Sequence, residues 1–398
     1  MPTPTVRRAL LPIPLLLGSA LIAACGAGSG SGSNSLGQAA SGHPSVPLTV
    51  TPANGTQQAT PGSPIAVRAG HGGRIASVKA VDGKGHDEPG KLSGDGSAWT
   101  SDQTVTPSTT YKITITTRAS DGQSSTVTDS FTTRRPEKTN KLTNAPANGG
   151  TVGTGMPISL LFDNPVDKTH RAAVEKALKV TTTPRVEGSW GWVKDYSGKD
   201  RIDWRPKDPW PAGTKVSVQG ALNGLDSGKG GWFARDYDFS FTVGSAHRAV
   251  IDVPSHTLTM YDGNREVGQV QGSAGSAQNP TRGGTHTVTS KNPAETMDSH
   301  TIGFGDQWSL KAKWVVHMTA SGTFLHSAPW NHSIGVENNS HGCFGMTDAD
   351  AKKVYDFLTL GSLVEVKGSS STVQTDPGNG LEDWQETWQQ WQRRSAQE

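Results

Sequence analysis

One of the two cysteines of this chain lies in a turn whose residue types suit nucleophilic catalysis. Cys343 ends the Ser-His-Gly-Cys segment at 340–343, and His326 opens a His-Ser-Ala-Pro-Trp segment at 326–330. A thiol attacks well only as a thiolate, and a neighbouring imidazole is the usual acceptor of its proton. His326 and His341 are both candidates for that base. The sequence therefore predicts a cysteine–histidine site centred on Cys343.

The other cysteine, Cys25, ends a segment that is typical of an export signal. Arg7 and Arg8 precede a short apolar stretch over 9–24, in which small residues lead up to the cysteine. The segment is similar to the lipobox of bacterial lipoproteins, in which the thiol receives a diacylglyceryl group. An ordinary secretory signal and a membrane anchor are the alternatives, although the apolar stretch is short for a span. With Cys25 lipidated, Cys343 has no disulfide partner, and reactivity explains it better than inert burial.

The two motifs around Cys343 resemble the signature of a known enzyme family. His-Ser-Ala-Pro-Trp, a loop and Ser-His-Gly-Cys are together similar to the pattern of L,D-transpeptidases with a YkuD-type catalytic domain, and the resemblance covers residues 140–367. Segments at 172–182 and 204–206 are similar to the Ig-like domain that precedes the catalytic domain in multi-domain actinobacterial members. One departure is Gly345, where the family usually has Asn or Arg.

The resemblance implies a peptidoglycan cross-linking reaction with a cysteine nucleophile. Cys343 would form an acyl-enzyme with a donor tetrapeptide stem, release its terminal D-Ala and pass the acyl group to an acceptor amine, which makes a 3-3 cross-link. His326 is expected to act as base and then as acid, oriented by the backbone carbonyl of Ser327. The turn at Gly342 is expected to offer backbone N–H groups to the oxyanion. His341 is expected to orient the substrate or to stabilise the turn.

A second group of residues is expected to bind substrate. It consists of Met297, Trp308, Ser321, Ser340, Phe344 and Gly345. Trp308 and Ser321 correspond to positions that line the cleft in relatives, and Met297 begins a segment that resembles the flap over it. Ser340 is expected to support the turn by hydrogen bonding. Gly345 is expected to leave a looser donor site than Asn or Arg would, because glycine frees the backbone beside the nucleophile.

The charge balance gives no electrostatic case for binding nucleic acid, because 37 basic and 35 acidic residues leave a formal net charge of +2. The family resemblance instead implies peptidoglycan stem peptides as partners and carbapenem β-lactams as covalent inhibitors. It implies no cofactor. A lipid on Cys25 would hold the protein on the outer side of the cell membrane, facing the cell wall.

Three other interpretations stay open. The same acyl-enzyme could be passed to water, which would make the protein an L,D-carboxypeptidase. The protein could be a catalytically weak wall-binding lipoprotein, an interpretation that Gly345 alone favours. A zinc site is the third, with the ligands His326, His332, His341 and Cys343. Their spacing lacks the Cys-x-x-Cys or His-Glu-x-x-His core of zinc motifs, so the sequence favours no metal.

The composition predicts a mainly β fold. The chain is 33% hydrophobic and has 48 glycines, which is typical of several small β-rich domains with many turns. Pro-Ala-Asn-Gly at 52–55 recurs at 146–149, and Ser-Phe-Thr at 130–132 recurs at 240–242. These repeats predict two tandem Ig-like β-sandwich domains. A YkuD-type β-rich catalytic domain is expected to follow, with a helix after the nucleophile, capped by Thr347.

These patterns divide the chain into six segments. They are a lipoprotein signal at 1–25, a Gly/Ser-rich linker at 26–44, Ig-like domains at 45–137 and 138–245, the catalytic domain at 246–367 and a Trp-containing tail at 368–398. The tryptophans of the second Ig-like domain are expected in its core, with a glycan-stacking surface as the alternative. Trp384, Trp388 and Trp391 are expected on one helix face that docks on the protein, or contacts wall or membrane.

Overall fold

The computed structural model describes residues 46–70, 72–302, 305 and 309–397. The predicted export signal with Cys25 and the linker at 26–44 lie outside the described residues, as does Trp308. Within the described ranges, no helix is long and apolar enough to cross a membrane.

The first β-sandwich is formed by eight strands in two four-stranded sheets of order β1-β2-β6-β5 and β4-β3-β7-β8. The strands are β1 Leu48–Thr51, β2 Pro64–Ala69, β3 Arg74–Asp82, β4 Asp87–Glu88, β5 Gly90–Leu92, β6 Ala98–Thr104, β7 Thr110–Arg118 and β8 Ser124–Thr132. Strict alternation along β7 buries Tyr111, Ile113 and Ile115, and Phe131 of β8 stacks on Tyr111. The core of this domain is therefore set by period-two patterning.

The second sandwich contains eleven strands and one short helix. The strands are β9 Lys138–Asn140, β10 Leu142–Ala145, β11 Gly150–Val152, β12 Ile158–Phe162, β13 Leu178–Thr183, β14 Gly188–Lys194, β15 Asp200–Pro206, β16 Lys215–Gly220, β17 Asp226–Gly228, β18 Gly231–Phe233 and β19 Tyr237–Val243. The main sheets have the orders β10-β12-β15-β14 and β11-β19-β16-β13, and β17-β18-β9 form a small third one. A 3-10 turn at Lys168–His170 leads into helix α1, Arg171–Lys176. Trp190, Trp192, Trp204 and Trp210 are all buried in its core, as expected, whereas Trp232 of β18 is only partly buried.

The sequence repeat has a physical cause in the structure. In the first sandwich the Asn54 side chain accepts a hydrogen bond from the backbone N–H of Ser130 at 2.9 Å. In the second sandwich Asn148 accepts the equivalent bond from Ser240, also at 2.9 Å. Each repeated Asn-Gly turn is thus tied to its own repeated Ser-Phe-Thr strand.

The third domain is formed by nine strands and a helix. The strands are β20 His247–Asp252, β21 Thr257–Asp262, β22 Arg265–Gln271, β23 Gly284–Thr287, β24 Ser290–Asp298, β25 Ser309–His317, β26 Phe324–Ser327, β27 Phe344–Met346 and β28 Leu363–Lys367. They form sheets of order β22-β21-β20-β28-β23 and β24-β25-β26-β27. Helix α2, Asp348–Phe357, follows Cys343 closely, and the Thr347 side chain caps it by accepting from the Asp350 N–H. The mainly β fold with a helix after the predicted nucleophile is confirmed.

The C-terminal tail packs against the second sandwich. Its Trp residues do not share one helix, because Trp384 lies in a 3-10 turn at Asp383–Gln385 and only Trp388–Gln392 forms helix α3. The guanidinium of Arg205 lies 4.7 Å from the Trp384 ring centroid and 5.7 Å from those of Trp388 and Trp391. Trp391 is fully buried, so docking on the protein is what the structure shows.

Candidate active site

Two short parallel strands bring the predicted catalytic residues together. Strand β26 carries His326, and its parallel partner β27 starts directly after Cys343, with Gly345 opposite His326 in the register. The strands are joined by the loop at 328–343, which returns the chain to the same edge of the sheet. The two motifs that are separated in the sequence therefore meet at one place.

The Cys343 thiol is held in a buried, uncharged state. Its side chain is 9% exposed, and Sγ donates a hydrogen bond to the backbone carbonyl of Gly322 at 3.3 Å. Burial raises the pKa of Cys343 to about 11, because a thiolate would lose its hydration. The resting nucleophile is thus a thiol that needs a base.

His326 has the tautomer that such a base requires. Its Nδ1 donates to the backbone carbonyl oxygen of Ser327 at 2.7 Å, which leaves Nε2 without a proton in the neutral ring. Burial lowers the pKa of His326, so the ring is neutral at pH 7. The Trp330 ring is stacked at 6.0 Å from the imidazole, with an interplanar angle of 23°. The geometry matches the predicted orientation by the Ser327 carbonyl.

Ser340 braces the turn that carries the cysteine. Its Oγ donates to the Cys343 carbonyl at 2.6 Å and accepts from the Gly342 N–H at 3.1 Å. Gly342 has a φ of +119°, a conformation that only glycine adopts readily. The Gly342 N–H was expected to face an oxyanion, but here it is engaged by Ser340. A substrate oxyanion would therefore have to compete with the Ser340 hydroxyl for that donor.

Most of the predicted site residues line one cleft of about 610 Å³. They are Met297, Ser321, His326, Ser340, His341, Cys343 and Gly345. Phe344 is a correction: its side chain is fully buried in the domain core and packs against Gly272, because strand alternation turns it away from the cleft. Trp308, outside the described residues, stays a prediction.

Gly345 also differs from its predicted role. Its backbone N–H and carbonyl are both hydrogen-bonded to Ser273 at 2.9 Å, so the residue is fixed in a strand and is not a loose point beside the nucleophile. A Cβ at this position would lie 2.9 Å from the Cβ of Ala328, closer than carbon atoms pack. Any side chain here would therefore force Ala328 or the strand to shift.

The loop that accepts the thiol hydrogen bond is held by a residue that sequence reasoning missed. Asn379, in the tail, accepts from the Ser321 N–H at 2.8 Å and donates to the Ser321 Oγ at 2.8 Å. Ser321 precedes Gly322, whose carbonyl binds the thiol. No local pattern signals this contact, because Asn379 is far along the chain in an irregular segment.

The wall of the cleft formed by β24 is acidic. Glu295 and Asp298 line it, and Glu295 accepts from the Nε2 of His317 at 2.7 Å. Burial alone would raise the pKa of Glu295, but hydrogen bonds from Asn292 and His317 outweigh it and lower that pKa. Among the described lining residues there is no lysine or arginine. The cleft therefore suits a substrate that brings a positive charge of its own.

The residues of the alternative zinc site do not form one. Within the part of the chain that the structure describes, no group of three or more His, Cys, Asp or Glu side chains is placed to hold a metal ion.

Comparisons with known proteins identify two kinds of domain in this chain. Residues 56–226 match the family model of a bacterial Ig domain, and residues 246–366 match that of the L,D-transpeptidase catalytic domain. L,D-transpeptidase 5 of Mycobacterium tuberculosis is 33% identical over 362 residues, which cover 89% of this chain and 78% of that protein. L,D-transpeptidase 2 of the same species is 32% identical and covers 88% and 85%. A solved L,D-transpeptidase, LdtMt1 in complex with imipenem, is similar to 58% of this chain over its whole length, with 30% identity and a TM-score of 0.50.

Proposed function

Because the chain belongs to the L,D-transpeptidase family, we propose that it cross-links peptidoglycan stem peptides through a thioester on Cys343. The observation that carries this proposal is the pair formed by a buried thiol and a neutral imidazole oriented by Ser327, on the wall of one cleft. This arrangement supplies a nucleophile and a base with an unprotonated Nε2, which acyl transfer requires.

In the acylation step, His326 Nε2 takes the thiol proton while Sγ attacks the carbonyl carbon between the third and fourth residues of a donor tetrapeptide. The tetrahedral intermediate carries its negative charge on oxygen, where backbone N–H groups of the 342–344 turn would stabilise it; the Gly342 N–H would do so only by giving up its bond to Ser340. The C–N bond then breaks, and the imidazolium gives its proton to the departing amine of D-Ala. A thioester on Cys343 and a neutral His326 remain.

In the second step an amine of an acceptor stem attacks the thioester carbonyl. His326 accepts the proton of the amine, the C–S bond breaks, and the proton returns to the thiolate of Cys343. The acidic wall with Glu295 and Asp298 would attract the ammonium form of the acceptor to the cleft. Water is the competing acceptor, and its attack would give a carboxypeptidase product instead of a 3-3 cross-link.

The solved relative in complex with imipenem supports carbapenems as inhibitors of this protein. We propose that a carbapenem acylates Cys343 by the same steps, with the β-lactam carbonyl in place of the peptide carbonyl.

We further propose that Cys25 carries a lipid that holds the protein on the outer side of the cell membrane, as its lipobox-like sequence suggests. The domain limits drawn from the sequence stay predictions.

Muropeptide analysis tests the proposed reaction. The purified chain is incubated with disaccharide-tetrapeptides, and the products are identified by mass spectrometry. We expect a dimer that has lost one D-Ala, no such dimer with Cys343→Ala, and one carbapenem adduct per chain on Cys343. A wall-binding protein without catalysis would give neither dimer nor adduct, and a carboxypeptidase would give tripeptide only.

A further inference from the structure

One aromatic side chain of the second sandwich reaches the cleft of the third domain. Tyr196 lies in the turn between β14 and β15, yet it lines the same cleft as Cys343 and His326. It is 65% exposed, whereas Trp190 and Trp192 on the adjoining strand are less than a tenth exposed. An exposed aromatic ring on the wall of a cleft offers a ligand a flat apolar face and a hydroxyl group.

The turn that presents Tyr196 is rigid. Asp195 accepts from the Lys199 N–H at 2.7 Å and from the Ser197 hydroxyl at 2.8 Å, and its carbonyl accepts from the Gly198 N–H at 2.9 Å. These bonds close the turn on both sides of the tyrosine. The backbone that carries the ring therefore has little conformational entropy left to lose on binding.

The hairpin is also tied to the cleft by the tail. Arg201 of β15 donates to the carbonyls of Gly380 at 2.7 Å and Pro377 at 2.9 Å. Asn379, between them, is bonded to Ser321 of the cleft. A continuous set of hydrogen bonds thus fixes the second sandwich against the loop beside the nucleophile, and Tyr196 stays in place as part of the cleft wall.

We propose that Tyr196 forms a sugar-binding subsite, in which its ring stacks on a pyranose of the glycan strand that bears the stem peptide. The inference rests on the proposed function and names a further part of its substrate. Stem peptides are built from small and charged residues that offer no broad apolar face to an aromatic ring. The C–H face of a pyranose does.

Two donors with the same peptide test the subsite by kinetics. One is the free tetrapeptide and the other is the disaccharide-tetrapeptide, each used with the full chain. We expect Tyr196→Ala to lower kcat/KM for the disaccharide donor about 3- to 10-fold, a stacking-sized effect, and to leave the free peptide unchanged. Tyr196→Phe keeps the ring and should retain most of the activity. Lys199→Ala is the matched control in the same turn, and should behave as the parent.

Binding to the Cys343→Ala chain separates this inference from the proposed function. Calorimetry with both ligands should show that Tyr196→Ala weakens the binding of the disaccharide-tetrapeptide and not that of the free tetrapeptide. This expectation holds whether or not the parent chain turns the disaccharide donor over. A parent without turnover would overturn the proposed function, but the binding difference would still support the subsite. Equal weakening of both ligands would assign Tyr196 to the peptide, and no weakening of either would remove it from the substrate; each result overturns the sugar subsite.

Discussion

Burial acts in opposite directions on the two reacting groups. It raises the pKa of the Cys343 thiol to about 11 and lowers the pKa of the His326 imidazole. Both effects disfavour a thiolate–imidazolium pair in the empty cleft. The proton is therefore expected to move when a substrate carbonyl is in place, so that charge develops on an oxyanion that donors can stabilise. We therefore expect such a site to react slowly with small electrophiles in solution and to favour acyl groups that fit the cleft.

The choice between the two candidate bases can be tested directly. His326→Ala should slow the acylation of Cys343 by imipenem by about 10²- to 10⁴-fold, the usual range for a lost general base. His341→Ala should cost much less, because His341 is exposed and is expected only to orient the substrate or to stabilise the turn. Stopped-flow or mass-spectrometric acylation rates measure both. The reverse order of the two effects would move the base to His341.

The contact between Gly345 and Ala328 makes a second prediction at this scale. Gly345→Ala places a Cβ 2.9 Å from the Ala328 Cβ, and should lower the free energy of unfolding by about 1–3 kcal/mol, as overpacking does. Adding Ala328→Gly should recover most of that loss, since it removes the opposing methyl group. Thermal melting of the single and double variants measures this. A Gly345→Ala chain that melts like the parent would contradict the close approach.

At the scale of elements, the sequence predicts what local pattern determines. The alternation of apolar and polar residues along β7 and the Thr347 cap of helix α2 can both be read in the sequence. Strand β27 has three residues and pairs in parallel with β26 across a loop, so no local periodicity signals it. For the same reason the burial of Phe344 and the engagement of the Gly342 N–H were missed. Both depend on which way a short strand and a turn face in three dimensions.

The tail contact at Asn379 is a long-range feature with a testable consequence. Asn379→Ala removes both side-chain hydrogen bonds to Ser321 and should loosen the loop that carries the Gly322 carbonyl. We expect carbapenem acylation to slow by about tenfold, because the thiol is less well positioned. Asn223→Ala is the matched control, since Asn223 bonds Thr104 between the two sandwiches, away from the cleft. It should leave the acylation rate unchanged, and equal slowing in both variants would point to general destabilisation.

At the scale of the whole molecule, the tail joins the second and third domains through buried polar contacts. On one side Arg201 and Arg205 donate to tail carbonyls, and on the other Glu382 contacts His286 of β23. Glu382 and His286 are both fully buried, with 2.6 Å between Oε2 and Nδ1. Composition and local pattern give no indication of this pair, because its members are brought together only by the docked tail.

The Glu382–His286 pair should make stability depend on pH. Nε2 of His286 lies 2.9 Å from the carbonyl oxygen of Arg282, and Nδ1 faces the Glu382 carboxyl group. Both contacts are hydrogen bonds only if the two ring nitrogens each carry a proton, or if Nε2 carries one and the Glu382 carboxyl carries the other. The folded pair therefore holds one proton more than a neutral histidine and a carboxylate do. In keeping with this, burial raises the pKa of Glu382, and for His286 the bond to Glu382 outweighs the lowering by burial and raises its pKa.

A group whose pKa is higher in the folded state than in the unfolded state stabilises the fold fully at pH values below its unfolded-state pKa. This stabilisation is lost as the pH rises through the folded-state pKa. Above about pH 6.5, where the unfolded histidine loses its proton, the free energy of unfolding should fall by up to about 1.4 kcal/mol per pH unit from this pair. In Glu382→Gln the amide can donate to Nδ1 of a neutral ring, so no extra proton is needed and this pH dependence should disappear. Chemical unfolding of the parent and of Glu382→Gln between pH 6 and pH 9 measures the difference, in which all other titrating groups cancel. Parallel curves for the two chains would show that the pair takes up no proton on folding.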